Sequence, residues 1–266
     1  MTQIPLSGLS VFHPLGGSVA VDSLPAGFAI FSGDKLHPFA EMAAVQLQKQ
    51  LQQSTAWQHN FGLSDEQKGP VIGKMFGVLV VRTEQGAYGY LAAFSGKLAN
   101  GNYHAGFVPP IYDGMAEDGF LTAGMRQLSR ITQEIDAPGA TDKAQIEQLK
   151  QKRRDLSKSL QKKIFDQYHF LNCSGKAESL VDLFAKAGYH NPPAGAGECA
   201  APKLLQYAFQ QQMQPIAMAE FWWGLSPKSA FWKHGVFYPP CREKCAPILA
   251  HMLSGLTLET DPYGIR

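Results

Sequence analysis

Apolar residues recur along this chain with two periods, and the switches between them mark its elements. Between residues 38 and 53, Ala40, Ala43, Ala44, Leu47 and Leu51 fall three and four apart, which predicts a helix with one buried side. Two nearly continuous apolar runs, GKMFGVLVVRT and AYGYLAAFSG, flank Glu84-Gln85-Gly86. They predict a strand pair over 74–95, with Gly86 taking the positive φ of a short turn. Helical spacing returns over 122–135, breaks at Ala137-Pro138-Gly139-Ala140, and resumes over 141–170. In that last run Ile146, Leu149, Leu156, Leu160 and Ile164 lie near heptad spacing, so the two segments predict an antiparallel helical hairpin. A short helix follows over 179–187, closed by Gly188. A longer one over 200–212 carries Pro202 in its first turn, where a missing N–H is harmless. Residues 216–223, bounded by Pro215 and Gly224, read as a buried strand. Pro239 and Pro240 stop the chain before Cys241 opens a final helix that buries Ile248, Leu249 and Met252. The first 40 residues are rich in Gly, Pro and Ser and predict irregular chain with one or two short strands.

Strands that are apolar on both faces must be covered on both faces. The expected fold is therefore α/β: a three-layer, mixed sheet covered by helices, with a long helical hairpin inserted. The expected division is an N-terminal irregular and helical segment over 1–70 packed on the core, an α/β core over 71–121 and 188–256, the hairpin over 122–187, and a tail over 257–266. A chain of 266 residues is long enough to bury such a core. No run approaches the roughly 20 apolar residues of a membrane span, and the first residues lack the basic and apolar regions of a signal peptide. Four cysteines without a secretory signal fit a reducing cytoplasm better than a disulfide framework. A net charge of +2 does not by itself demand a nucleic-acid partner.

Three of the four cysteines, Cys199, Cys241 and Cys245, lie within 195–253, each where a loop feeds a helix. Helix N-termini favour anions, so all three thiols are expected to have lowered pKa values. Cys241 and Cys245, four apart, share one helical face. Three soft ligands from two helix starts suit zinc with one position left open, while three buried structural thiols are the plainer alternative. Cys173 stands apart and reads as structural. Lys150, Lys152, Arg153, Arg154, Lys158, Lys162 and Lys163 crowd the polar side of the 141–170 helix. They suit a phosphate backbone or simply a solvated face. Aromatics from Phe221 to Tyr238 stand beside Lys228, Lys233 and His234. Trp222 and Trp223 point to opposite sides of their strand, so at most one of them can stack a base. The 97–118 segment, with Asn102, His104, Tyr112 and Asp113, has the composition of a loop beside a site or of a plain surface loop.

The order of a hairpin, a helix begun by Cys199-Ala200-Ala201, a strand, and Pro240-Cys241 with Cys245 resembles that of the zinc-dependent cytidine deaminases. Two departures stand out. Ala201 occupies the place of the general acid/base glutamate, and three residues rather than two separate the second pair of cysteines. Glu198 and Glu220 are the carboxylates left to carry protons. Longer segments carry a second resemblance: GKMFGVLVV, GYLAAFSGKLA, FVPPIYD, LSKSLQKKIFDQYHFLN, PPAGAGECAAPKLLQYAF and FYPPCREKCAPILAHMLSGL. Over about residues 31–256 the chain is similar to the N-terminal region of long bacterial pseudouridine synthases of the large-subunit ribosomal type. In that group a synthase domain, an isomerase with an Arg-Leu-Asp motif, follows this region. The motif occurs nowhere in this sequence. The resemblance thus implies an accessory module in RNA modification, with RNA and a synthase catalytic domain as its partners.

Overall fold

The computed structural model describes residues 11–16, 21–65, 68–137 and 142–259. Its elements run in the order β1 (Phe12–Pro14), β2 (Ala29–Ile30), α1 (Pro38–Gln53), β3 (Lys74–Arg82), β4 (Tyr88–Phe94), α2 (Phe120–Ile135), α3 (Lys143–Phe165) and β5 (His169–Leu171). There follow β6 (Ala177–Ser179), α4 (Leu180–Lys186), α5 (Ala200–Gln210), β7 (Gln214–Trp223), β8 (Phe237–Tyr238) and α6 (Arg242–Met252). Residues 1–10, 17–20, 66–67, 138–141 and 260–266, and with them most of the expected break at 137–140 and parts of the N-terminal segment and tail, lie outside the described residues.

The central sheet is mixed, with order β1-β4-β3-β7-β2 and β8 beside β2 on the same edge of β7. β3 pairs antiparallel with both β4 and β7, and β2 runs parallel to β7. Alternation along β3 explains the layers. Val78 and Val80 face a core shared with Ala40, Ala43, Ala44 and Leu47 of α1. Leu79 and Val81 face the opposite core, built with Leu204 and Leu205 of α5, Ile248 and Leu249 of α6 and Leu183 of α4. Both faces are dry, as two apolar runs without polar alternation require. The expected three-layer α/β fold is thus present.

The helical hairpin is also present. α2 and α3 pack through Gly124, where an added Cβ would meet Leu160 side-chain atoms at 2.4 Å. Asp142 caps α3 by accepting from the backbone N–H groups of Ala144 and Gln145.

One boundary differs from the sequence expectation. The helix over 141–170 ends at Phe165, and His169–Leu171 instead pairs with Ala177–Ser179 as a small antiparallel ribbon. The reason is visible in the spacing. Phe165 and Tyr168 are three apart, but Tyr168 and Phe170 are two apart, which is the period of a strand, and all three are buried. Asn172 then closes the ribbon, its side-chain oxygen accepting from the N–H groups of Ser174 and Lys176, with Gly175 at φ +79.

Replacing Gly124 by leucine forces α2 off α3. The expected loss is about 1–3 kcal/mol, read as a lower urea midpoint. Limited proteolysis of the variant is expected to cut first in the hairpin, leaving the α/β core intact.

Candidate metal centre

Cys199 is the N-cap of α5 and Cys241 the N-cap of α6. The chain is steered into α5 by Gly195 and Gly197, at φ +77 and +90. Only glycine fits at 197, because a Cβ would stand 2.8 Å from the Tyr168 ring. On the other side, β8 pairs with β7 so that Tyr238 lies opposite Glu220. Pro239 and Pro240 end that pairing and deliver Cys241 beside the same stretch of β7. A third element meets them through an absence. Gly77 of β3 pairs with Glu220, and a Cβ there would come within 3.0 Å of the Ala200 Cβ. The bare backbone lets the start of α5 rest directly on the sheet.

The two helix starts therefore converge. The sulfurs of Cys199, Cys241 and Cys245 all lie within 4.8 Å of one another, and those of Cys241 and Cys245 are 3.4 Å apart. Sulfurs bound to one tetrahedral zinc at about 2.3 Å stand about 3.8 Å apart, so this set fits such an ion after small side-chain rotations. Among the described residues it is the one His/Cys/Asp/Glu group close enough to hold a metal ion. All four cysteines are free thiols. Cys173 is exposed and donates to the Ser254 carbonyl at 3.2 Å, apart from the other three as its sequence position suggested.

The thiols do not share one electrostatic fate. Hydrogen bonds from Cys199 first, and from Cys245 next, hold Cys241 far below the ordinary thiol range against its burial, and the N–H groups of Lys244 and Cys245 assist. Cys199 is pushed up because it donates to Cys241, and Cys245 is pushed up because it donates to both partners and is buried. The expectation that both helix starts would lower all three is corrected. Three crowded sulfurs sustain one thiolate, and a second negative charge would be repelled in a dry site.

Glu220 is the decisive carboxylate. It is only 4 % exposed, on the β7 face that looks toward α5 and α6. Its Oε1 accepts from the Ala201 N–H at 3.1 Å. The first turn of α5 is thus joined to a glutamate of the strand beneath it. Burial raises the Glu220 pKa to about 8, the Ala201 N–H opposes the rise, and the Cys241 charge adds to it. Glu198 has a different partner, accepting a hydrogen bond from the Tyr168 hydroxyl. The desolvated tyrosine is in turn pushed up, with the Glu198 charge contributing. Lys203, one turn into α5, is buried as well. Its Nζ donates to the carbonyls of Phe94 and Gly96 at 3.0 and 3.2 Å and lies over the Phe94 ring. Sequence reading passed over both Tyr168 and Lys203. The lysine two residues beyond the Cys-Ala-Ala turn was the available signal.

The residues expected to meet RNA lie elsewhere. Lys150, Arg153, Arg154, Lys158 and Lys162 are all exposed on α3. Lys150 pairs with Glu147 at 2.8 Å, and Arg153 Nε donates to Thr132 Oγ1 at 3.0 Å. Lys233 is exposed, with its backbone N–H donating to the Tyr238 hydroxyl. Trp222 is half-buried and stacks on Trp232 with centroids 5.2 Å apart, so one face of its indole is already taken. Trp223 packs inward, as the alternation required. The most open aromatic of the group is Phe231, 65 % exposed. No helix among the described residues is long and apolar enough to cross a membrane.

Comparison with known protein families, with curated proteins and with solved structures finds no match for this chain.

The buried carboxyl of Glu220 makes a pH prediction. An exposed glutamate loses its proton near pH 4.5, and Glu220 in the folded chain keeps its proton up to about 8. Between those values the folded state binds a proton that the unfolded state lacks, so its contribution favours folding below pH 4.5 and declines as pH rises through 8. Glu220→Gln preserves the acceptor for Ala201 and removes the titration. Urea unfolding of chelator-treated protein at pH 5 and 8.5 is expected to show the variant gaining on the parent by a few kcal/mol at the higher pH. Equal pH slopes for the two proteins would contradict this assignment.

Proposed function

We propose that this chain is an RNA-associated accessory module that holds zinc through Cys199, Cys241 and Cys245 and serves a catalytic domain of the pseudouridine synthase type. The single observation that carries the metal half is the convergence of three sulfurs from two helix starts. A soft, all-thiolate donor set favours zinc over the harder divalent ions. The donors sit at the starts of two helices packed on the sheet, with Cys245 buried, which suits a structural ion. The RNA half is supported by the cations exposed along α3, and the service to a synthase domain by the resemblance over residues 31–256 alone. The absence of an Arg-Leu-Asp motif supports a supporting role rather than isomerase chemistry in this chain.

A second reading, a zinc-dependent hydrolase that deaminates a nucleobase or nucleoside, is favoured by one observation: the placement of Glu220. Zinc bound to three sulfurs would supply Lewis-acid activation of a water. From β7, Glu220 reaches the start of α5 with its carboxyl protonated near neutral pH, the condition a proton donor to a leaving amine requires. Glu198, bonded to Tyr168, is the weaker proton carrier.

Zinc content decides the metal. Protein purified without chelator is expected to carry about one zinc per chain by elemental analysis, and Cys241→Ser to lose at least nine-tenths of it. Wild-type protein without zinc, or a cysteine variant that keeps it, would refute the site. Ammonia release separates the two readings. The accessory module predicts none from zinc-loaded protein on cytosine- and adenine-containing nucleosides and oligonucleotides. The hydrolase predicts release that falls at least 100-fold in Glu220→Gln.

A further inference from the structure

A cavity of about 730 Å³ lies between α2 and the 97–118 loop, on the side of α2 opposite α3. It falls within the size range of small-ligand sites. Lys97, Arg126 and Arg130 line it, and no carboxylate does. None of the three takes part in an ion pair among the described residues. Glu117 and Asp118, just ahead of α2, do not line the cleft, and the carboxylate of Asp113 accepts from Asn102 Nδ2 and the Met115 N–H within its own loop. Three unneutralised cations facing one cleft form a positive site held open by the fold.

The spacing and the remaining lining narrow the ligand. Arg126 and Arg130 are one helical turn apart, about 6 Å along the axis, close to the separation of successive phosphates in an extended strand. Met115, Leu121 and Met125 supply an apolar floor, with Met125 52 % exposed. A base can rest on such a surface while its phosphates meet the arginines. The apolar floor gives an unpaired base a place to rest, which a duplex, with its bases already stacked, does not need. One lining residue, Lys97, also stands at the metal-centre end of the sheet. Gly96, next to Lys97, donates its N–H to the Glu198 carbonyl at 2.9 Å, and its own carbonyl accepts from Lys203. A strand lying on Lys97 is therefore one residue from the loop that carries Cys199.

We infer that this cleft binds the phosphodiester backbone of single-stranded RNA, with Lys97, Arg126 and Arg130 as its phosphate contacts; the inference rests on the RNA-associated reading and moves its principal contacts from α3 to α2. The test is fluorescence anisotropy of a labelled 12-nucleotide single-stranded RNA with the whole zinc-loaded chain, over a series of salt concentrations. Arg126→Glu with Arg130→Glu is expected to weaken binding at least 10-fold and to reduce the salt slope by about two. Lys158→Glu with Lys162→Glu on α3 is expected to change it less than threefold. All four side chains are exposed, and unchanged circular dichroism and zinc content confirm the fold of each variant. RNA is expected to resist displacement by inorganic polyphosphate at equal charge, because polyphosphate has no base to rest on the apolar floor. Loss of affinity in the α3 variant alone overturns the cleft and leaves the RNA reading standing. Polyphosphate displacing RNA charge for charge reduces the cleft to an unspecific anion site and overturns it as an RNA site. No binding by the parent protein overturns both.

Discussion

Gly77 sets the distance at which α5 meets the sheet. It lies in the pairing of β3 with β7, opposite Glu220, and the atoms nearest its missing side chain belong to Ala200, Leu204 and Glu220. Because nothing projects there, the first turn of α5 settles onto bare backbone. Ala201 can then reach the Glu220 carboxyl, and Cys199 can reach Cys241 and Cys245. A side chain at 77 would press on the first turn of α5, which carries Cys199 at its cap, even though no atom of residue 77 belongs to the cluster. Packing and chemistry are one constraint at this point.

The charges around that contact are balanced sparingly. One thiolate at Cys241, one protonated carboxyl at Glu220 and one buried ammonium at Lys203 stand in or beside the same apolar layer. Burial lowers the pKa of Lys203, while the charge of Glu198 opposes that shift. Two backbone carbonyls and an aromatic ring compensate the ammonium for lost water. A divalent cation would reverse the balance at the sulfurs, because it favours deprotonation of every thiol that ligates it. The raised values of Cys199 and Cys245 describe the cluster with its sulfurs facing one another alone.

Much of this was legible in the residues, for identifiable reasons. The sheet and its covering followed from the apolar runs of β3, β4 and β7, whose lack of alternation admits few other architectures. Convergence of the cysteines followed from their repeated position at helix starts. Less visible was anything that depends on three-dimensional adjacency between dissimilar segments. The Tyr168–Glu198 hydrogen bond joins residues 30 apart in the chain, and no pattern in either neighbourhood announces it. The expected helix over 141–170 runs into the start of β5, because a strand of three residues is too short to announce its own period. Arg126 and Arg130 are two cations on a helix with no run of charge about them, and they become a group only when Lys97 arrives from another loop. The uniform lowering of thiol pKa values failed because a helix-start argument treats each sulfur singly, and these three share one space.

The borders of the sheet carry a consequence for how this protein meets others. On one side the outermost strand is β1, three residues ending in Pro14. On the other, β2 and β8 each cover two residues of β7. Such brief margins, one of them closed by an imino acid, leave few unsatisfied backbone groups in line for an incoming chain. Among the described residues, strand addition has little template at the borders of this central sheet. Among the described residues, side chains and helix surfaces, rather than the borders of this sheet, are left for a partner to meet.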